Sequence, residues 1–155
     1  MELNLSERPK IIARPDVWFA FIKVLGNEHA PEAWRTLTDV IWKDKMVEKD
    51  SEFIAAFYPD PITQKMHYEA GITVSHEFTS RDALKCRRLE GGKYASFMLK
   101  GPYENIYSAF SKLNSNWVTE NRHQLRDAAC LEVYLNDPKT TLSKDLLTEL
   151  LIPIK

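Results

Sequence analysis

Cys130, Glu132 and Tyr134 alternate along the run CLEVYL, and a carboxylate in so apolar a stretch is the residue with the clearest chemistry to offer. The β-branched and aromatic content predicts a strand half-buried in a sheet. Successive strand side chains point to opposite faces, so these three residues share one face and Leu131, Val133 and Leu135 share the other. The aliphatic face reads as core. Glu132 must then reach solvent, pair with a neighbour such as Arg126, or face a cavity where a charge is useful. The residue pattern leaves these alternatives open. Aligning the Asp-Pro pairs of FIAAFYPDP and CLEVYLNDP sets Ala55 opposite Glu132 and Phe57 opposite Tyr134. A surface of small and aromatic residues with a single acid suits a flat or lipophilic molecule that carries a positive charge. Aromatic faces attract cations, and a buried carboxylate regains from a cation what it lost in hydration.

Little else in the chain has catalytic spacing. The four histidines, His29, His67, His76 and His123, lack the i, i+4 spacing of helix-borne metal sites, and neither cysteine sits in a CxxC motif. There is no Gly-rich phosphate loop and no GxSxG. No metal and no cofactor are expected. Cys130 has no obvious base beside it and reads as a small apolar filler rather than a nucleophile.

The elements that must hold Glu132 occur twice. AFIKVLG (Ala20–Gly26) parallels ASFMLKG (Ala95–Gly101), each a strand-like run closed by glycine. After Gly26, Ala33, Trp34, Leu37, Val40 and Ile41 mark one face of a helix; after Gly101, Ile106, Phe110, Leu113 and Trp117 do the same. Pro31 and Pro102 stand near the helix starts, where a missing N–H does no harm. Each half then supplies an apolar run ending in Asp-Pro and a last strand, HYEAGITV or TELLIPI, with Glu69 and Glu149 at matching places. The order strand, helix, strand, strand is stated twice. An extra strand around LKCRRLE precedes the second copy, joined to it through a hairpin at Gly91-Gly92. The expected fold is α+β: a duplicated β-α-β-β unit, an antiparallel sheet with two main helices on one face, and a ligand groove at the pseudo-twofold. Trp34 and Trp117 either pack onto the sheet or line that groove. Residues 1–155 are read as one domain, with halves at about 8–75 and 84–155.

Composition excludes several classes. With 155 residues, 44% hydrophobic and 28% charged, the chain has the make-up of a globular domain. A net charge of −1 and no basic, aromatic-interleaved stretch argue against nucleic-acid binding; KCRR (Lys85–Arg88) reads as a solvated strand face. No apolar run approaches the ~18–20 residues of a membrane span. The start MELNLSERPK lacks the features of a signal peptide, so a cytoplasmic setting with reduced thiols is expected.

Three segments, GGKYASFMLKGPYENIYSAFSKLNSNWV, LRDAACLEVYLNDPKTT and LLTELLIPI, resemble the GyrI-like family of small-molecule-binding domains. These also occur as effector-binding domains of AraC- and MerR-type transcription activators. The resemblance runs from about Phe19 to Ile154 and is most specific in Gly91–Tyr103 and in LEVYLNDP, where the family's phenylalanine is Leu131. It implies the duplicated strand-helix-strand-strand fold. It also implies binding of lipophilic, often cationic, compounds between the halves, with Glu132 meeting the positive charge. Tyr103, Trp117 and Tyr134 match the family's aromatic walls best, and Phe57 and Tyr68 match from the other half. The first half has LGNEHAPEAW where many relatives repeat GPY. Fewer than twenty residues precede the expected first strand, leaving no room for a helix-turn-helix reader. The chain is therefore read as a stand-alone binding domain for sequestering or sensing a toxic compound. Two further functions follow from the resemblance alone: hydrolysis of cyclopropane-containing DNA-alkylating toxins with Glu132 as general base, and interaction with DNA gyrase.

Overall fold

The computed structural model describes residues 3–80 and 82–155. In chain order its strands and helices are β1 (Asn4–Leu5), β2 (Lys10–Arg14), β3 (Val17–Leu25), α1 (Ala30–Lys43), β4 (Phe53–Pro59), β5 (Met66–Val74), β6 (Lys85–Leu89), β7 (Gly92–Lys100), α2 (Ile106–Leu113), β8 (Cys130–Tyr134) and β9 (Leu147–Ile154). The fold is α+β and its strand pairs are antiparallel. The chain divides into two units, one of Pro15–Gly91 and one that joins the residues up to Arg14 with Gly92–Lys155.

In the Pro15–Gly91 unit the strand order is β4-β5-β3-β6. Helix α1 begins with Pro31 in its first turn and buries Ala33, Leu37 and Ile41, the i, i+4, i+8 stripe, against β3 and β5. Full burial of Leu37 and Ile41 contributes about 1.5–3 kcal/mol each. On the opposite face Phe19 lies across Gly71. A Cβ at that glycine would sit 2.5 Å from the Phe19 ring and 2.6 Å from the Ala20 carbonyl, so no larger residue fits there.

In the other unit β7 is flanked by β9 on one side and by β1 and β2 on the other, and β9 carries β8. Leu99, Phe97 and Ala95 on β7, with Leu150, Ile152 and Ile154 on β9, form one core with Ala109 and Leu113 of α2. Ile106, Phe110 and Trp117 pack against that core, as their helical spacing predicts. Beyond Leu113 the helix widens into a π-helical turn, Asn114–Val118, which carries Trp117.

The repeated glycines are structural counterparts. Gly26 (φ 101°) and Gly101 (φ 134°) both turn the chain at positive φ into a short 3-10 turn that feeds α1 or α2, a conformation costly for any residue with a Cβ. The two Asp-Pro ends also match. Asp60 Oδ1 accepts hydrogen bonds from the Ile62 and Thr63 amides, and Asp137 Oδ1 accepts one from Lys139, so each strand stops in an Asx turn.

Two expectations are corrected. The hairpin at Gly91-Gly92 is not formed: β6 pairs with β3 and belongs with the first repeat, because Gly92 (φ 133°) leads away from the β6 ladder. Strands also precede the expected first one, since β1 and β2 pair with β7 far along the chain. Their sequence, with Pro9 and Pro15 as bounds, has too little alternation to announce them.

Candidate functional site

Strand β8 is short because its C-terminal end is tied off at once. The Asn136 side chain donates to the Asp145 carbonyl (3.1 Å) and accepts from the Leu147 amide (3.0 Å), closing the loop that returns to β9. The register sets Glu132 opposite Leu150 and Tyr134 opposite Thr148. Residues opposite each other in a ladder share a face. Glu132 therefore points to the same side as Leu150, Phe97 and α2. Both faces of β8 are covered: Leu131 and Val133 are each 1% exposed and Glu132 is 7% exposed. The face of Glu132 also carries the core of α2, so Glu132 does not stand on an open sheet face.

Glu132 is buried without a cation beside it among the described residues. Its one hydrogen bond comes from the Tyr134 hydroxyl, which donates to Oε1 at 2.5 Å, and among the described residues it forms no ion pair. Burial pushes its pKa from 4.5 up to about 7, while the Tyr134 hydrogen bond pulls the other way. Near neutral pH the carboxyl is therefore poised between proton and charge. Arg126, the neighbour considered as its partner, is engaged elsewhere. Its guanidinium lies 5.0 Å over the Tyr94 ring and donates to the Ile154 and Lys93 carbonyls. Burial, with some help from the Glu132 charge, raises the Cys130 thiol to about 12, which makes it a poor nucleophile.

Three of the sequence-predicted residues meet here. The Tyr103 ring meets Tyr134 edge to face at 5.3 Å, so that Glu132, Tyr134 and Tyr103 form a chain of contacts. Burial and the nearby Asp137 charge raise the Tyr103 pKa. Trp117 reaches the same face through Phe97, which it meets edge-on at 5.6 Å, and so it packs into the core of α2. Phe57 and Tyr68 lie in the Pro15–Gly91 unit, opposite each other on β4 and β5. Tyr68 accepts a 2.8 Å hydrogen bond from Trp34 Nε1, tying α1 to the sheet.

Other buried polar groups have partners that the sequence does not assign. Glu69, 2% exposed, receives both Nε (3.1 Å) and Nη2 (2.5 Å) of Arg87 on Oε1 and the Tyr58 hydroxyl (2.9 Å) on Oε2. The Arg87 guanidinium also lies over Phe19 and Phe21, at 5.8 and 5.4 Å. Of the run KCRR, then, Arg87 turns inward. Period-two alternation along β6 was the available signal. His67 Nε2 lies 2.8 Å from Asp60 Oδ2, and the Asx turn and this histidine hold the Asp60 carboxyl well below the usual carboxylate range. Two buried polar side-chain atoms among the described residues have no partner, His67 Nδ1 and the Thr148 hydroxyl. No three potential metal ligands come together among the described residues, and no helix there is long and apolar enough to cross a membrane.

Comparison with known proteins adds a family. The model of the GyrI-like small molecule binding domain matches residues 8–155. No curated protein matches the sequence. Among solved structures, the C-terminal domain of EcmrR superposes with a TM-score of 0.76 at 15% identity, covering 100% of this chain and 99% of that one. SAV2435, solved bound to tetraphenylphosphonium, gives 0.73 at 16% identity over 100% and 94% of the two chains. A Listeria innocua protein described as a hydrolase gives 0.61 at 16% identity over 97% and 93%. At these identities the likeness is one of fold.

Proposed function

The chain belongs to the GyrI-like small-molecule-binding family, and we propose that it binds a lipophilic cation with Glu132 as the charge partner. The observation that carries this reading is the state of that carboxylate: buried, held by one tyrosine hydroxyl, and without a cation partner among the described residues. A fold does not need such a group. Burying a carboxylate without a counter-charge costs several kcal/mol, and Glu69 in the same protein has its arginine. A ligand cation offsets at Glu132 what Arg87 offsets at Glu69. Tyr134 and Tyr103 supply the aromatic faces, and Trp117, edge-on to Phe97, is a further candidate wall. SAV2435 with its bound tetraphenylphosphonium supports the ligand class by analogy. Sequestration or sensing of such compounds is the role that follows.

A thermal-shift screen of tetraphenylphosphonium and neutral tetraphenylmethane-type analogues tests the reading on wild type and Glu132→Gln. Binding to the native state raises the melting temperature by mass action. Cations should stabilise the wild type and lose that effect in the variant. An equal shift in both proteins would remove Glu132 from the site.

A second reading uses the same residue. A carboxyl with a pKa of about 7 can take a proton from water at neutral pH, which favours hydrolysis of a strained electrophile such as a cyclopropane-containing alkylating toxin. The Listeria innocua hydrolase supports this by fold analogy. Incubation of such a compound with excess protein, followed by mass analysis, decides it. A gain of one water, lost in Glu132→Gln, is the expected product signature, and unchanged compound rejects the reading.

A further inference from the structure

Thr148 on β9 is fully buried, at 0% exposure, and its hydroxyl has no hydrogen-bond partner among the described residues. A valine there would fill nearly the same space and avoid the ~1–3 kcal/mol cost of an unsatisfied buried hydroxyl. The position is not remote from the candidate site. Thr148 stands directly opposite Tyr134 on β8 and opposite Leu99 on β7, so its side chain shares the face of Glu132, Tyr134 and the α2 core. Opposed Cβ atoms in such a ladder lie ~4.5–5.5 Å apart and diagonal neighbours ~7–8 Å apart. That places the Thr148 side chain beside Tyr134 and diagonal to Glu132. On Glu132, Oε1 takes the Tyr134 hydroxyl and Oε2 has no partner among the described residues.

We infer that Thr148 is a second polar anchor of the Glu132 site, selecting cations that carry N–H groups, such as amidinium or ammonium on an aromatic body, over fully substituted ones. The inference rests on the proposed reading of Glu132 as charge partner. A carboxylate oxygen and a hydroxyl flanking an aromatic side chain are two acceptors for one donor group. An amidinium, with N–H donors on two nitrogens each reaching about 2.9 Å, spans such a diagonal. A phosphonium or quaternary ammonium has no hydrogen to donate and gains from Glu132 alone. Thr148 is thus a specificity residue, while the charge itself is met by Glu132.

Isothermal titration at pH 8 with 4-phenylbenzamidine and with tetraphenylphosphonium tests this on wild type, Thr148→Val, Thr148→Ser and Glu132→Gln. Thr148→Val should weaken the amidinium by about tenfold or more, one hydrogen bond from a charged donor, and leave tetraphenylphosphonium within about twofold. Thr148→Ser, which restores the hydroxyl, should recover the amidinium. The ligand-free valine variant should melt no lower than wild type, which separates lost recognition from lost fold. An equal effect of Thr148→Val on both probes, no effect on either, or an amidinium that wild type does not bind while it binds the phosphonium overturns the inference and leaves the charge-partner reading standing. If wild type binds neither cation, or Glu132→Gln binds both unchanged, the charge-partner reading falls and this inference falls with it.

Discussion

The Tyr134 hydroxyl lies 2.5 Å from Glu132 Oε1, two residues back on the same strand face, and no cation shares that carboxylate among the described residues. The contrast with Glu69 is internal to the protein: one buried acid is clamped by Arg87 and Tyr58, the other is held, among the described residues, by a tyrosine alone. The difference between these two acids sets what each should do when perturbed.

Stability should vary with pH through Glu132. Its folded pKa of about 7 exceeds the ordinary 4.5, so the native state keeps a proton that the unfolded chain releases. This contribution is fully present below pH 4.5 and is lost as pH rises through about 7. At about 1.4 kcal/mol per unit the loss is on the order of 3 kcal/mol. Glu132→Gln stays neutral throughout. It should be more stable than wild type at pH 8 by up to that amount and about equal at pH 4. Urea melts at the two pH values check this, and a variant less stable at pH 8 would indicate a hidden cation partner.

Cation affinity should run the opposite way. A ligand of permanent charge competes with the proton for Glu132, so binding weakens as pH falls through about 7. Between pH 8 and pH 6 the ionised fraction drops about tenfold, and the Kd for tetraphenylphosphonium should rise by a similar factor. Constant affinity over that range would exclude the carboxylate as partner.

Tyr134→Phe removes the group that favours the ionised form of Glu132. The pKa of Glu132 should climb above its wild-type value, and cation binding at pH 7 should weaken. Raising the pH to 9 should restore much of it. A loss that persists at pH 9 would mean that the hydroxyl touches the ligand itself rather than tuning the carboxylate.

Arg87→Met leaves Glu69 buried and unpaired. Breaking such a pair costs roughly 3–5 kcal/mol when fully buried, and the 33% exposure of the Arg87 side chain reduces this to about 2–4 kcal/mol. The double variant Glu69→Gln with Arg87→Met should recover most of the loss. Denaturant melts of wild type, the two single variants and the double variant measure it, and additive losses would show that the pair is not coupled.

Much of the fold was legible in the sequence because the devices that build it are local. Gly26 and Gly101 carry the positive φ that starts each helix turn, Asp60 and Asp137 close the strands through amides two or three residues on, and the stripes Ala33–Leu37–Ile41 and Ile106–Leu113 keep helical period. The alternation of CLEVY placed Cys130, Glu132 and Tyr134 on one face for the same reason. What tertiary structure alone decided are pairings between residues distant in the chain. β6 joins β3 rather than turning back at Gly91, β2 finds β7, and Arg87 reaches Glu69 only because β3 brings β6 alongside. The burial of Glu132 belongs to this second class. A strand's own sequence states which side chains share a face, but whether a carboxylate on that face meets water, an arginine or an apolar core depends on what the rest of the chain packs against it. That is also why Thr148, unremarkable in the run LTELL, becomes noticeable only once the ladder sets it opposite Tyr134 with its hydroxyl unmet.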